Sequence, residues 1–230
     1  MPISRKDEIA ENLAKVQEQI ANATKSAGRN IAEIKLIAVT KTFPVSDLHF
    51  LYELGIRDFG ENRDQEAILK TAELPKDINW HFQGQIQSNK LKSITNWASV
   101  IHSVDQFRYA KLISEFAGGQ SRGIFIQVSL DEVPESRGGV DPSKILQLAN
   151  EISELRNIEL LGLMAVAPLQ DKPANAFSRL QRYQSALLEK MPNANSLSIG
   201  MSGDFEVAIS HGATHLRIGS SILGNRQPIT

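Results

Sequence analysis

The 230-residue chain contains no cysteine, which excludes disulfides, iron–sulfur clusters and thiolate zinc sites. It has no excess of charge of either sign: 25 basic and 26 acidic residues leave a net charge of −1. That balance argues against a broad surface for nucleic acid or an anionic membrane, while leaving room for a local phosphate site. No apolar run approaches the ~20 residues needed to span a bilayer. The N-terminus is polar and charged and lacks the apolar core of a signal peptide. Repeats, low-complexity tracts and linkers are also missing. These absences make a soluble cytoplasmic protein the expectation. With 41% hydrophobic residues the chain has ample material for one large α/β core or two small ones.

The most informative stretch is residues 34–44, IKLIAVTKTFP. Leu36, Ile37, Ala38 and Val39 form a short branched apolar run that suits a strand buried on both faces, and Pro44 ends further pairing. Lys41 follows at the C-terminal end of that strand. A desolvated amine there would shift toward its neutral, nucleophilic form, which is what a Schiff base requires. On these residues alone a solvated strand-end charge is the more economical reading, and the rest of the chain shifts the balance.

Upstream, Ser4 and Asp7 form a helix-start capping pair, Ile9, Leu13, Val16 and Ile20 recur at helical spacing, and Gly28 is a natural stop. Downstream, strands are predicted at residues 56–60 (IRDFG), 79–84 (NWHFQG), 100–104 (VIHSV), 123–130 (GIFIQVSL), 160–167 (LLGLMAVA), 196–201 (SLSIGM) and 215–218 (HLRI). Helical segments separate nearly all of them. Asp105 is expected to open one, Asp141-Pro142 a second, and Ser202 to cap a short one over 204–211. The alternation points to a parallel sheet, and eight units of roughly 25 residues suit a closed (β/α)8 barrel with an extra leading helix, a single domain over residues 1–230. An open doubly wound sheet is disfavoured, because no dinucleotide-type glycine fingerprint follows the first strand.

In such a barrel the strand C-termini form one rim, where sites collect. The polar residues predicted there are Lys41, Asn62, His81, Ser202, Arg217, Gly219 and Ser220, with Met164 and Met201 as apolar walls. Ser202 at a helix start and the N–H groups of Gly219, Ser220 and Ser221 after the next strand are suited to an anion, and together they favour phosphate over ordinary capping and turn roles. Arg217 keeps its charge at any working pH and must find an acceptor. Without Lys41 an internal ion pair would be preferred. A lysine, an arginine and a phosphate cradle together suit a flat, phosphorylated aldehyde.

The segments AVTKTFP around Lys41, FGEN at residues 59–62, WHFQGQIQSNK at 80–90 and SIGMSGDFEVAISHGATHLRIGSSILGNR at 198–226 closely resemble the pyridoxal phosphate homeostasis proteins, over nearly the whole chain and in the same order. That family looks like the N-terminal barrel of alanine racemase without its C-terminal β-domain. The resemblance implies that Lys41 holds pyridoxal 5′-phosphate (PLP) as an internal aldimine. It implies that Ser202, Gly219 and Ser220 hold the phosphate, that Arg217 faces the pyridine nitrogen, and that Asn62 and His81 are pocket neighbours. An arginine donating to that nitrogen keeps it unprotonated and weakens the ring as an electron sink. Thr42-Phe43, Gln85 and Arg137 depart from residues common in the family; none of them touches the lysine or the phosphate motif.

A racemase needs a second acid–base group on the far face of the cofactor. In the related racemase that group comes from the C-terminal domain of a partner subunit, which this chain is expected to lack, and Tyr52, Tyr109 and Tyr183 are predicted on outer helices. The expectation is therefore a non-catalytic PLP carrier that serves vitamin B6 and amino-acid balance. PLP-dependent apo-enzymes are candidate recipients, the state is a monomer, and there is no nucleic-acid or membrane partner and no metal. The alternatives are a small PLP racemase or lyase, a sugar-phosphate aldolase that uses the lysine, and a pure interaction protein in which Lys41 is dispensable.

Overall fold

A computed structural model describes residues 3–131 and 138–224. Arg137, one of the departures noted above, lies outside the described residues. Eight parallel strands close into a barrel in sequence order: β1 Lys35–Val39, β2 Asp58–Glu61, β3 Asn79–Phe82, β4 Val100–Val104, β5 Arg122–Gln127, β6 Ile158–Met164, β7 Ser196–Ser198 and β8 His215–Ile218. The barrel closes through β1 on β8, with Ile37 opposite Arg217 and Ala38 opposite Ile218. The helices on the outside are α1 Arg5–Ser26, α2 Val45–Glu53, α3 Asp64–Glu73, α4 Leu91–Trp97, α5 Phe107–Phe116, α6 Ile145–Ser153, α7 Pro173–Lys190, α8 Phe205–Ser210 and α9 Ser220–Leu223. Among the described residues no helix is long and apolar enough to cross a membrane.

Local chemistry accounts for the helix boundaries. The Ser4 side chain accepts from the Asp7 N–H and starts α1. Ile9, Leu13, Val16 and Ile20 are then buried on the side of α1 that packs on α2, α8 and α9, at roughly 1.5–3 kcal/mol for each side chain removed from water. Pro173 occupies the first turn of α7, where its missing N–H costs nothing. Asp141 caps the turn that leads into α6 by accepting from the Ser143 N–H.

Several strands differ from their predicted extents. The fifth ends at Gln127 because Val128 turns to bridge Val140. The seventh stops at Ser198, ahead of Gly200, whose φ of +92° leaves the extended region. The second begins at Asp58 and the sixth spans Ile158–Met164; β4 and β8 coincide with their predicted extents. Two capping expectations are corrected. Asp105 does not cap α5; its carboxylate accepts instead from the Gly139 N–H at 3.1 Å. Ser202 does not cap α8, whose N-cap position is Asp204. The Asp204 carboxylate accepts from the Met201 N–H at 2.6 Å, and the Ser202 hydroxyl accepts from the Ser221 N–H of the neighbouring loop.

Candidate cofactor site at the C-terminal mouth

Side chains alternate in and out along a strand, so inward positions recur every second residue. At the C-terminal end of the barrel these positions open into a cavity of about 670 Å³, within the range of small-molecule sites. Lys41, Asn62, Met164, Met201, Ser202, Arg217, Gly219 and Ser220 all line it, as do Val39, Phe43, Gln83, Val166, Gly203 and Gly224. Seven segments separated in sequence are thereby brought to one place.

His81 is the expected site residue that the structure puts elsewhere. It is fully buried one layer below the cavity, bonded to His102 and Asp58. The side chain that reaches the cavity from this part of the chain is Gln83, just past the end of β3 and two residues further on. The reading of the sequence missed Gln83 and Val39, although each lies two residues from a named inward position and the period of two was there to be used.

Lys41 sits in the turn that follows β1, half-buried, and the turn is clamped from behind. The buried Lys70 ammonium of α3 donates to the Thr40 carbonyl at 2.8 Å and to Glu61 Oε1 at 2.7 Å. The Thr40 hydroxyl donates to the same carboxylate oxygen at 2.7 Å. Burial pushes the Glu61 carboxyl up from its ordinary value, against the pull of Lys70 and Thr40. Thr42, the next residue after the lysine, has φ +70°, a strained conformation for a β-branched side chain. Glu66 of α3 holds it there by accepting from its N–H at 2.8 Å. Lys41 thus stands between two backbone positions fixed by α3.

Arg217 of β8 is 5% exposed. It donates through Nη1 to the Ser198 carbonyl and hydroxyl and through Nη2 to the Ala165 carbonyl at 3.0 Å. Burial lowers it to about 10, so it remains a cation. Opposite, the Ser202 hydroxyl accepts from the Ser221 N–H at 3.3 Å and ties the loop after β7 to the loop after β8. Gly219 packs tightly in that cradle: a Cβ there would lie 3.0 Å from the Val39 carbonyl oxygen. The cavity wall also holds two buried polar atoms, Asn62 Oδ1 and Gln83 Nε2, that lack a hydrogen-bond partner in the protein. Such atoms are costly unless a ligand satisfies them.

The chain carries an amine just after the first strand and an arginine on the last, inside a closed β/α barrel, and its class is that of the alanine racemase N-terminal barrels: the family model for the alanine racemase N-terminal domain matches residues 6–227. An alanine racemase from Clostridium difficile shares this fold with a TM-score of 0.75 at 16% identity, over 96% of this chain and 57% of that one. Within that class the chain belongs to the pyridoxal phosphate homeostasis protein family. The Corynebacterium glutamicum protein of that name is 42% identical over 92% of this chain and 99% of its own length, and the Pseudomonas aeruginosa one is 40% identical over 95% and 96%. PipY of Synechococcus elongatus, solved with PLP bound, superposes with a TM-score of 0.82 at 34% identity, covering 94% of this chain and all of that one.

Proposed function

We propose that this protein binds pyridoxal 5′-phosphate in the C-terminal cavity, as a Schiff base on Lys41, and serves as a cofactor reservoir and carrier without dedicated turnover. The observation that carries the reading is the convergence in one cavity of the Lys41 amine, the Arg217 guanidinium and the Ser202–Gly219–Ser220 cradle. The residues fit the cofactor. The orphaned Asn62 and Gln83 atoms match a ligand with ring substituents that accept and donate, and the Ser202 hydroxyl beside the Gly219–Ser220 backbone suits a phosphate. When bound, the cofactor supplies an aldehyde and an electron-withdrawing ring.

The protein's own residues have separable roles in this proposal. Lys41 contributes the amine nitrogen, and its α3 clamp fixes where that nitrogen stands. Ser202 and the N–H groups of Gly219 and Ser220 hold the phosphate, and Asn62 and Met164 border the ring. Arg217 donates to the ring nitrogen and, as a cation, keeps a proton off it, which disfavours carbanion chemistry. Tyr52, Tyr109 and Tyr183 lie on α2, α5 and α7, and Tyr52 is engaged with Asp77 at 2.9 Å; this supports a carrier rather than a racemase. We propose that it acts as a cytoplasmic monomer, that PLP-dependent apo-enzymes receive the cofactor, and that PLP and amino-acid balance depend on it.

Titration of the purified protein with PLP and with unphosphorylated pyridoxal, followed by absorbance, tests the site. PLP is expected to bind at least about 100-fold more tightly than pyridoxal, because only PLP engages the cradle. Equal affinities would overturn the phosphate assignment. Steady conversion of a free amino acid by the loaded protein would overturn the carrier reading.

A further inference from the structure

The interior of a β/α barrel is ordinarily packed with layers of branched apolar side chains. Here a polar column runs through it beneath the cavity. Arg217 Nη1 lies 2.7 Å from Ser198 Oγ, Ser198 Oγ lies 2.8 Å from His102 Nδ1, His102 Nε2 lies 2.9 Å from His81 Nδ1, and His81 Nε2 lies 2.9 Å from Asp58 Oδ1. Ser198, His102 and His81 are fully buried. Asp58, paired with Lys35 at 3.2 Å, opens onto a separate cavity of about 770 Å³ at the N-terminal mouth. Phe125 stacks on the His102 ring at 4.6 Å and fixes its plane. The rings bond to one another and do not converge on a common point. Among the described residues no histidine or carboxylate group is arranged to hold a metal ion.

The two ends of the column dictate its proton positions. Arginine only donates, and an ionised carboxylate only accepts. With neutral rings a single assignment satisfies every link. Arg217 donates to Ser198, the Ser198 hydroxyl to His102 Nδ1, His102 Nε2–H to His81 Nδ1, and His81 Nε2–H to Asp58. Neutral rings are favoured by the surroundings. Burial pushes His81, His102 and His215 down, and the charges facing them are Lys35 of β1, Asp58 of β2 and Arg217 of β8, of which only Asp58 draws a proton toward the rings.

We propose that Ser198, His102, His81 and Asp58 are positioning residues that act through Arg217. They form a one-directional hydrogen-bonded column that orients the guanidinium at the cavity floor and couples it to the carboxylate at the opposite mouth. The column stands on the protein's own geometry; its effect on a bound cofactor rests on the reading of the cavity as a PLP site.

The test begins on the cofactor-free protein. Long-range 1H–15N correlation spectra of the histidine rings at pH 7.5, assigned through His81→Asn and His102→Asn, are expected to show both rings neutral with the proton on Nε2. A proton on Nδ1 of either ring, or a doubly protonated ring, overturns the column. Asp58→Ala removes the terminal acceptor and is expected to shift the His102 ring nitrogens two links away. Glu33→Gln, which lines the same mouth outside the column, is expected to leave them unchanged. Unchanged His102 nitrogens in Asp58→Ala would overturn the coupling. In the loaded protein, Asp58→Ala and Ser198→Ala are expected to weaken PLP three- to tenfold and to displace its absorbance maximum; an unmoved spectrum and affinity would overturn the action through Arg217. Failure of the wild-type protein to bind PLP would sink the cofactor reading and leave the tautomer result standing.

Discussion

The two mouths of the barrel each carry a lysine near one end of β1 and an arginine, and treat their polar groups in opposite ways. At the N-terminal mouth Lys35 pairs with Asp58, Arg29 pairs with Glu33 at 2.9 Å, and the Arg29 guanidinium also donates to the carbonyls of Ile209 and Ala213. Among the described residues, none of the buried side-chain atoms that lack a partner belongs to that mouth. At the C-terminal mouth, two such atoms border one cavity, beside the Arg217 cation, which donates to a hydroxyl and two backbone carbonyls. A mouth whose polar groups satisfy one another is structure. A mouth whose buried polar groups remain unsatisfied is shaped for something else to complete it.

The largest expected effect concerns what holds the C-terminal mouth in place. Replacing Lys70 by Met strips the buried Glu61 of its ion partner and is expected to cost about 3–5 kcal/mol in urea unfolding. A loss below about 1 kcal/mol would show that the clamp behind Lys41 is dispensable. Next comes the contrast between two lysines six residues apart. Lys41→Ala is expected to weaken PLP by at least about 100-fold, roughly 2.7 kcal/mol, while moving the melting temperature little. Lys35→Ala is expected to change PLP affinity less than about twofold. Similar losses from both would erase the distinction between the mouths.

The polar column makes the N-terminal half sensitive to acid. Burial lowers His215 to about 3 and pushes His81 and His102 down as well. A histidine held below its unfolded value of about 6.5 contributes stability that is present above that pH and lost as pH falls toward the folded value. The loss approaches about 1.4 kcal/mol per pH unit for each ring. Asp58 acts in the same direction at lower pH, since His81 and Lys35 overcome the effect of burial and hold its carboxyl below the usual range. The melting temperature is therefore expected to be flat above pH 7 and to fall steadily from pH 6.5 to 5; a constant value across that interval would contradict the buried neutral rings. A smaller loss than that from Lys41→Ala is expected from Ser202→Ala, with PLP affinity lowered about tenfold and pyridoxal affinity unchanged.

The C-terminal mouth was largely legible in the sequence, because its residues fall at strand ends next to glycines and a proline, where local chemistry marks them. Lys41 before Pro44, and Arg217 before Gly219-Ser220, carry that signal. The N-terminal mouth was not legible. Lys35, Asp58 and His215 are single polar residues at strand starts, and nothing local separates an inward lysine from a solvated one. His81 was assigned to the wrong layer for the same reason. Whether an inward side chain lies in the cavity or beneath it depends on strand register, with His81 opposite Gly60 and Ser198 opposite His215, and register is set by closure of the whole barrel. For Ser202 only the capping expectation failed: α8 begins at Phe205, one position past Asp204, and the Ser202 hydroxyl accepts from the Ser221 N–H instead.

The most direct test of the central claim is borohydride reduction of the PLP-loaded protein followed by peptide mass analysis. The account predicts a visible absorbance band that reduction bleaches, with one pyridoxyl group recovered on the peptide containing Lys41. A protein that gains no band with PLP, or one whose pyridoxyl group is recovered on Lys35 or another lysine, would contradict it.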